Sequence, residues 1–154
     1  MAGHYVDKVL QPGEEVRYIA SLNWILYAPG LLLWFIAALI HVVSPSSGGL
    51  GTLGRFAALL VFAAGLVVLA RAWFRWWTTE IAVTDRRVIY KTGFISRKTT
   101  EMHMDKVESV DVHQSVLGRI FDFGSVIVRG TGSGLEPIRD IDAPLELRNH
   151  ITGV

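Results

Sequence analysis

The chain of 154 residues contains no cysteine, which excludes disulfide bonds and metal sites built on thiolates. This lack is also typical of a protein in a reducing compartment. Neither sign of charge dominates, because 15 Lys and Arg residues stand against 14 Asp and Glu residues and the formal net charge is +1. A strong basic field of the kind that attracts nucleic acid is therefore missing, and we predict no nucleic-acid partner.

Charge is missing altogether from residues 22–43, which contain no Asp, Glu, Lys or Arg. A second apolar run covers residues 56–70 and reaches the same length when it is counted from about 53 to 74. A bilayer core about 30 Å thick needs about 20 apolar residues in a helix. We therefore predict a transmembrane hairpin over residues 22–77, with helices at 22–43 and about 53–74 and an external connector at 44–54.

The basic residues are unevenly distributed around this hairpin. Arg55 alone lies at the edge of the connector, whereas Lys8 and Arg17 precede the first helix and a larger group follows the second. Positively charged flanks stay on the cytoplasmic side of a membrane. We therefore predict a multi-pass membrane protein with both termini in the cytoplasm, which makes residues 1–21 a cytoplasmic N-terminal segment. The first run is too long for the core of a signal peptide.

One histidine, His41, lies close to the exit of the first predicted helix. Ionisable residues inside a membrane are often functional, so a proton relay is one interpretation. Water is near at this depth, however, and an interfacial histidine without a chemical role is the simpler interpretation. The helix carries no buried acid or base, which is unusual for a transport pathway.

Basic and aromatic residues are interleaved at the end of the second helix. Arg71 and Arg75 lie four residues apart and share one helix face, and Trp residues surround them. Such side chains anchor a helix in the head-group layer, and they can also form a selective site for anionic lipid. Basic residues further along are interpreted as solvated surface by default. The candidate membrane-interface residues are Arg71, Trp73, Arg75, Trp76, Trp77, Arg86, Arg87, Arg97 and Lys98.

After Trp77 the pattern changes to short runs of β-branched residues separated by turn residues. We predict a cytoplasmic β domain over residues 78–154, an antiparallel barrel or sandwich with one short helix at its C-terminus. Asp142 is predicted to cap this helix and Pro144 to lie in its first turn. The apolar residues predicted to share one face of the helix are Leu147, Ile151 and Val154.

The segment before the hairpin has two interpretations. Residues 16–22 show an imperfect alternation of apolar and polar residues, and a Pro-Gly turn precedes them. The segment is either a lead-in to the membrane or a strand that docks on the later β domain. The sequence leaves both open.

Several short motifs of the chain occur together in a known family. In chain order they are LQPGE (10–14), VTDRRV (83–88), GF (93–94), QSVLGRIFDFG (114–124), Val126, Val128 and GTG (130–132). On these motifs the chain resembles the bacterial pleckstrin-homology-like (PH-like) membrane proteins, whose function is uncharacterised. The resemblance covers residues 10–151. Residues 114–124 are its most specific part.

The resemblance implies an α+β membrane protein. It implies a two-helix transmembrane hairpin followed by a PH-like fold, with seven strands in two near-orthogonal sheets and a C-terminal helix over one open end. It also implies the bacterial plasma (inner) membrane as the location. It supplies no catalytic residue.

The polar and glycine residues of the last motifs are interpreted mainly as structural. Gln and Ser close a turn, Gly permits the bend, and Leu117 and Ile120 are expected to anchor the turn in the core. Arg119 can instead pair with Asp122 or with an acid of a partner. The Gly-rich segment 130–134 lacks the Lys of a phosphate-binding loop and is interpreted as a hairpin turn. These motif residues are Gln114, Ser115, Gly118, Arg119, Gly124, Gly130 and Gly132.

No spacing of residues in the chain matches a nucleophilic triad or a zinc motif. We therefore predict a protein that is not an enzyme, with no catalytic residue, no metal and no cofactor. The main hypothesis is a membrane-anchored interaction or scaffold module that binds a protein partner, or assembles with copies of itself, at an exposed sheet edge. The alternatives are an anionic-lipid-sensing module and, with less support, a small oligomeric transport or pore component.

Overall fold

The computed structural model describes residues 5–93, 98–131 and 137–153. The chain forms two compact units. Trp24–Phe74 makes up the helical unit. Met1–Asn23 and Arg75–Val154 together make up the β unit, so the helical unit is an insertion between two parts of the β unit.

The described residues form five α-helices and seven strands. The helices are α1 (Val6–Val9), α2 (Ala28–Val43), α3 (Gly49–Thr78), α4 (Val116–Ile120) and α5 (Pro144–Thr152). The strands are β1 (Val16–Ala20), β2 (Glu80–Thr84), β3 (Arg87–Thr92), β4 (Lys98–His103), β5 (Val107–His113), β6 (Phe123–Gly130) and β7 (Ile138–Asp142). Short 3-10 turns occupy Trp24–Tyr27 and Met104–Lys106.

The helical unit contains two helices that are long and apolar enough to cross a membrane. They are Trp24–Val43, which includes the first 3-10 turn, and Gly49–Thr78. Only 11% of the residues in the most apolar window of each helix are buried. A core helix of a water-soluble protein would be mostly buried, so this exposure is unlike that class of helix. The first helix lies within the predicted span at 22–43, whereas the second extends beyond the predicted span of about 53–74 at both ends.

The connection between the two helices is shorter than predicted. α3 begins at Gly49, so only residues 44–48 join the helices, whereas the predicted connector covered 44–54. Small residues explain the difference, because a Cβ atom at Gly51 would collide with the carbonyl of Pro45. Gly51 therefore lets the first turn of α3 approach the backbone of Pro45 closely. It belongs to the helix and not to an irregular connector.

The two helices pack closely at small residues. A Cβ atom at Gly65 would lie 2.6 Å from Cδ1 of Trp34, and one at Gly30 would lie 2.5 Å from Cγ of Leu69. The Trp34 ring stacks on Phe62 with 5.1 Å between the ring centroids. The two helices thus approach closely at Gly30 and Gly65, as expected for helices that meet through small residues.

The β unit contains two antiparallel sheets, in the orders β1-β2-β3-β4 and β5-β6-β7. β1 pairs with β2, so residues 16–22 form a docked strand, the second of the two interpretations left open by the sequence. The chain then continues along β7, where Leu22 bridges Ile141. The sheets are thus joined at this corner. Among the described strands, β4 and β5 each have a strand partner on one side only.

The core lies between the two sheets and is closed by α5. Alternate residues of β2, β3 and β6 point into it, which is the two-residue period of a strand. β7 contributes Ile138 and Ile141, three positions apart, because the register between β6 and β7 shifts. Leu147 and Ile151 of α5 cover it, and Val154 lies outside the described residues. The fully or nearly fully buried members are Ala20, Ile81, Val83, Val88, Met102, Val126, Val128, Ile138, Ile141, Leu147 and Ile151.

The start of α5 differs from the prediction. The residue that precedes the helix is Ala143, in the left-handed conformation with φ 45°, and no side chain caps the first turn. Asp142 cannot act as the cap because it still belongs to β7, where its N–H donates to the carbonyl of Ser21. Pro144 lies in the first turn, as predicted.

The N-terminal segment covers the outer face of the first sheet. Ala82 and Ile89 point away from the core, yet both are fully buried, and Val6 of α1 is buried as well. The N–H of Tyr5 donates to the carboxylate of Glu80 at 3.1 Å. Both faces of β2 and β3 are therefore covered, which explains why buried residues do not alternate strictly along these strands.

Candidate functional site

The chain leaves the β unit at Asn23, which is itself buried and held by hydrogen bonds from its backbone and its side chain. Its N–H donates to the carbonyl of Asp140 at 2.7 Å. Its side-chain amide donates to the carboxylate of Asp142 and, at 3.3 Å, to the carbonyl of Phe121. The residue directly before Trp24 is therefore fixed in the β unit.

The chain returns to the β unit at Arg75, near the end of α3. The guanidinium of Arg75 donates to the carboxylate of Asp140 at 2.8 Å and to the carbonyl of Arg139 at 3.3 Å. Arg75, one of the predicted membrane-interface residues, is thus bound to residues of the β unit. The other members at this end of α3 are exposed, and their contact with lipid stays a prediction: Arg71, Trp73, Trp76 and Trp77.

The remaining basic candidates lie at opposite ends of the first sheet. Arg86 and Arg87 follow β2 at the end remote from α3, because a five-residue strand, about 13 Å long, separates them from it. Lys98 pairs with Thr92 at the end near α3. Arg97 lies outside the described residues. Two of the predicted interface residues are therefore far from the link to the helical unit.

Arg87 is buried, with 7% of its surface exposed, which contradicts the surface position that the sequence predicted. Its Nε and Nη2 atoms donate to the two carboxylate oxygens of Glu14 at 2.9 and 2.7 Å. Its Nη1 donates to Glu101 at 2.7 Å and its Nη2 also to the carbonyl of Val9 at 2.8 Å. The charge is neutralised inside the protein because the N-terminal segment folds over it.

This ion pair brings together two motifs that are about 70 residues apart in sequence. Thr84 Oγ1 donates to Glu14 at 2.7 Å, and the N–H of Gln11 donates to the other carboxylate oxygen at 2.8 Å. Gly13 makes the preceding turn with φ 77°. Glu14 therefore fastens the N-terminal segment to the turn between β2 and β3, a structural role that the sequence did not assign to it.

The hydrogen bonds from Arg87 outweigh burial and lower the pKa of Glu14 from 4.5 to about 2. A carboxyl whose pKa is lowered by folding adds stability above its unfolded pKa and loses it as the pH falls through the folded value.

We expect wild type and Glu14→Gln to differ most in free energy of unfolding above pH 4.5, and the difference to shrink towards pH 2. Urea unfolding of the full chain in detergent, followed by methyl NMR signals of Val126 and Val128, measures this. A difference independent of pH would contradict the assignment.

The most specific motif forms the corner between β5 and β6. Ser115 precedes α4, and its Oγ accepts the N–H of Gly118 at 3.0 Å. Gln114 Nε2 donates to the carbonyls of Gly118 and Phe123 at 3.3 and 3.4 Å. A Cβ atom at Gly118 would lie only 2.5 Å from the carbonyl oxygen of Phe123. These polar groups are occupied in holding the corner.

The prediction that Leu117 and Ile120 anchor this corner in the core is wrong, because both side chains are exposed. The buried residue of α4 is Gly118, whose lack of a side chain lets the helix backbone lie directly on β6. The larger neighbours then face outwards. Within residues 5–93, 98–131 and 137–153, no acidic group lies within ion-pair distance of Arg119, so the proposed pairing with Asp122 does not form.

An open cleft of about 810 Å³ lies where β5, α4 and α5 meet. Arg119 and Arg148 give it a positive side, while Ser115 and Gln114 are already hydrogen-bonded to the backbone. The cleft begins at the end of β5, which has a strand partner on one side only among the described strands. The residues that line the cleft are Val112, His113, Gln114, Ser115, Arg119, Asp122, Leu145 and Arg148.

A comparison with known protein families matches residues 20–153 to the family described as Bacterial PH domain. The chain belongs to the bacterial PH domain family. The match begins at Ala20 and includes the apolar helices as well as the sheets, and it confirms the resemblance drawn from the motifs. No curated protein and no solved structure matched the chain.

Two glycines of this PH domain lie where strands approach closely. A Cβ atom at Gly124 would be 2.7 Å from the carbonyl oxygen of His113, and one at Gly130 would be 2.6 Å from that of Lys106. Neither position leaves room for a larger residue without a backbone shift. Gly132 lies outside the described residues.

Proposed function

We propose that this bacterial PH domain protein is a non-enzymatic interaction module anchored in the plasma membrane, with both termini in the cytoplasm. It binds an extended segment of a protein partner, or of a second copy of itself, at the edge of β5. PH domains of this family generally act as interaction modules rather than as enzymes.

The membrane part of this proposal rests on the helical unit and on its two connections. Large apolar side chains along α2 and α3 are exposed, and a surface of this size is unfavourable in water. Asn23 and Arg75, the first residues of the β unit on either side, are held there by hydrogen bonds. Both helices then enter the bilayer from one side, as the basic residues of the sequence also favour.

The observation that carries the binding function is the edge of β5, which has no strand partner in the described part of the chain and leads into the cleft. Strand addition supplies backbone hydrogen bonds along such an edge, and a neighbouring pocket selects side chains. Arg148, which also lines the cleft, suits a carboxylate on the incoming segment. A residue such as Asp or Glu is the side chain that fits the cleft best.

Photo-crosslinking in native membranes tests this function. A photoreactive residue at Ser109, which is exposed on β5, is expected to give an adduct of discrete mass, either twice that of the chain or that of chain plus partner. The matched control is Arg17, which is exposed on β1 of the other sheet. Monomer alone at both positions, or equal adducts at both, would contradict a binding site at β5.

A further inference from the structure

The short helix α4 presents an apolar surface that the β unit leaves uncovered. Val116 is 78% exposed, Leu117 60% and Ile120 67%. At 100° per residue, these three positions lie within an arc of about 100° on the helix, and Arg119 lies next to that arc. Gly118 occupies the opposite, buried side. The helix is therefore amphipathic in the unusual sense that its large apolar side chains point away from the protein.

The position of α4 in the β unit is close to the point where the chain enters the helical unit. Phe121, the residue after α4, accepts a hydrogen bond at 3.3 Å from the side chain of Asn23. Asn23 is one peptide unit, about 3.8 Å, from Trp24, the first residue of the apolar helices. Asp140, which accepts the Asn23 N–H, also binds Arg75 at the other connection. Both connections thus lie beside the end of α4.

We propose that α4 inserts its apolar arc into the head-group layer of the same membrane, as a third contact besides the two helices. This inference rests on the proposed function, because it requires α2 and α3 to cross the bilayer. Where they do, Trp24 lies at the membrane surface, and the carbonyl of Phe121 is hydrogen-bonded to the residue directly before Trp24. An exposed cluster of Val, Leu and Ile at this depth enters the boundary between head groups and acyl chains.

The charges near α4 favour lipid over a protein partner at this surface. Arg119 has no acidic partner among residues 5–93, 98–131 and 137–153, and its guanidinium can reach phosphate groups beside the inserted arc. Two nearby acids, Asp140 and Asp142, are bound by Arg75 and Asn23, and the exposed Asp122 lies outside α4 in the lining of the cleft. A second copy or a partner protein covering α4 would have to fit between the β unit and the membrane surface.

The lack of cysteine allows single labels to be placed without background. An environment-sensitive fluorophore is attached to Leu117→Cys, or to Val116→Cys as an independent position on the arc, in the full chain in vesicles of phosphatidylcholine and phosphatidylglycerol. Phe35→Cys, exposed on α2, is the reference inside the predicted span. Gln11→Cys, exposed two residues before Gly13, whose carbonyl binds Arg86, is the reference far from it. Quenching is measured with nitroxide lipids and with aqueous iodide.

We expect nitroxide lipids to quench the Leu117 and Val116 labels at least about twofold, as for an interfacial helix, and to leave the Gln11 label unchanged. If the labels at Leu117 and Val116 respond like the Gln11 label while the Phe35 label is quenched, the inference is overturned and the predicted membrane span stands. Protection from iodide without lipid quenching overturns it in favour of a protein covering α4. An unquenched Phe35 label removes the proposed function and this inference together.

Discussion

Replacing Arg87 with methionine is expected to lower the free energy of unfolding of the β unit by about 3–5 kcal/mol, the usual effect of removing one partner of a buried ion pair. The carboxylate of Glu14 would remain buried with only Thr84 and the N–H of Gln11 as partners. The N-terminal segment would also lose the bond from Arg87 to Val9. Urea unfolding of the full chain in detergent, monitored by methyl signals of the buried valines, measures the loss.

The neighbouring residue provides a matched control. Arg86 has an exposed side chain, a long 3.7 Å contact to Asp85 and one 3.3 Å bond to the carbonyl of Gly13. We expect Arg86→Met to cost no more than about 1 kcal/mol. The double variant Glu14→Met with Arg87→Met should recover most of the loss, because no buried charge is left unpaired. Equal effects of the two single arginine replacements would show that the buried pair is not important.

Shortening Leu147 to alanine is expected to destabilise the β unit by about 2–5 kcal/mol, through lost apolar contacts and the cavity that remains. Leu147 is fully buried and closes the core between the two sheets from the side of α5. The helix has only nine residues, so few other contacts hold it in place. Hydrogen exchange of the β5 and β6 amides should rise in parallel, since these strands lie beneath α5.

The control for this variant lies on the same helix. Leu145 is 44% exposed at the rim of the cleft, and Leu145→Ala is expected to change the stability by no more than about 0.5 kcal/mol. The two variants remove the same atoms from the same helix and differ only in burial. If they cost the same, α5 does not close the core in the way described.

The apolar helices and most strands could be predicted because their signals are local. A run of residues without charge is visible in any window, and β-branched residues such as those of β5 indicate a strand. Gly93, directly after β3, has φ 82°, a conformation that glycine adopts readily. Element ends were less predictable. Asp142 looks like a helix cap in the sequence. In the structure it still belongs to β7, because its N–H donates to the carbonyl of Ser21 in the N-terminal part of the β unit.

The candidate sites were less predictable than the fold. Arg86 and Arg87 are adjacent and look alike in sequence, yet Arg86 is exposed and Arg87 is buried. The sequence does not show this difference, because Glu14, the partner of Arg87, lies more than 70 residues away. Leu117 and Ile120 look like core residues because they are large and apolar. Their exposure follows from Gly118 taking the inward position on β6, which is a matter of how closely two backbones approach.

Composition and short motifs alone determined that this chain has two membrane-length apolar helices, a β-rich remainder and a place in the bacterial PH domain family, because each of these depends on residues that are neighbours in sequence. Only the tertiary structure decided that residues 16–20 complete the first sheet, that Arg87 is internal and that α4 carries an uncovered apolar surface beside Asn23. Burial and pairing depend on which distant segments meet, and the spacing of residues along one segment does not contain that information.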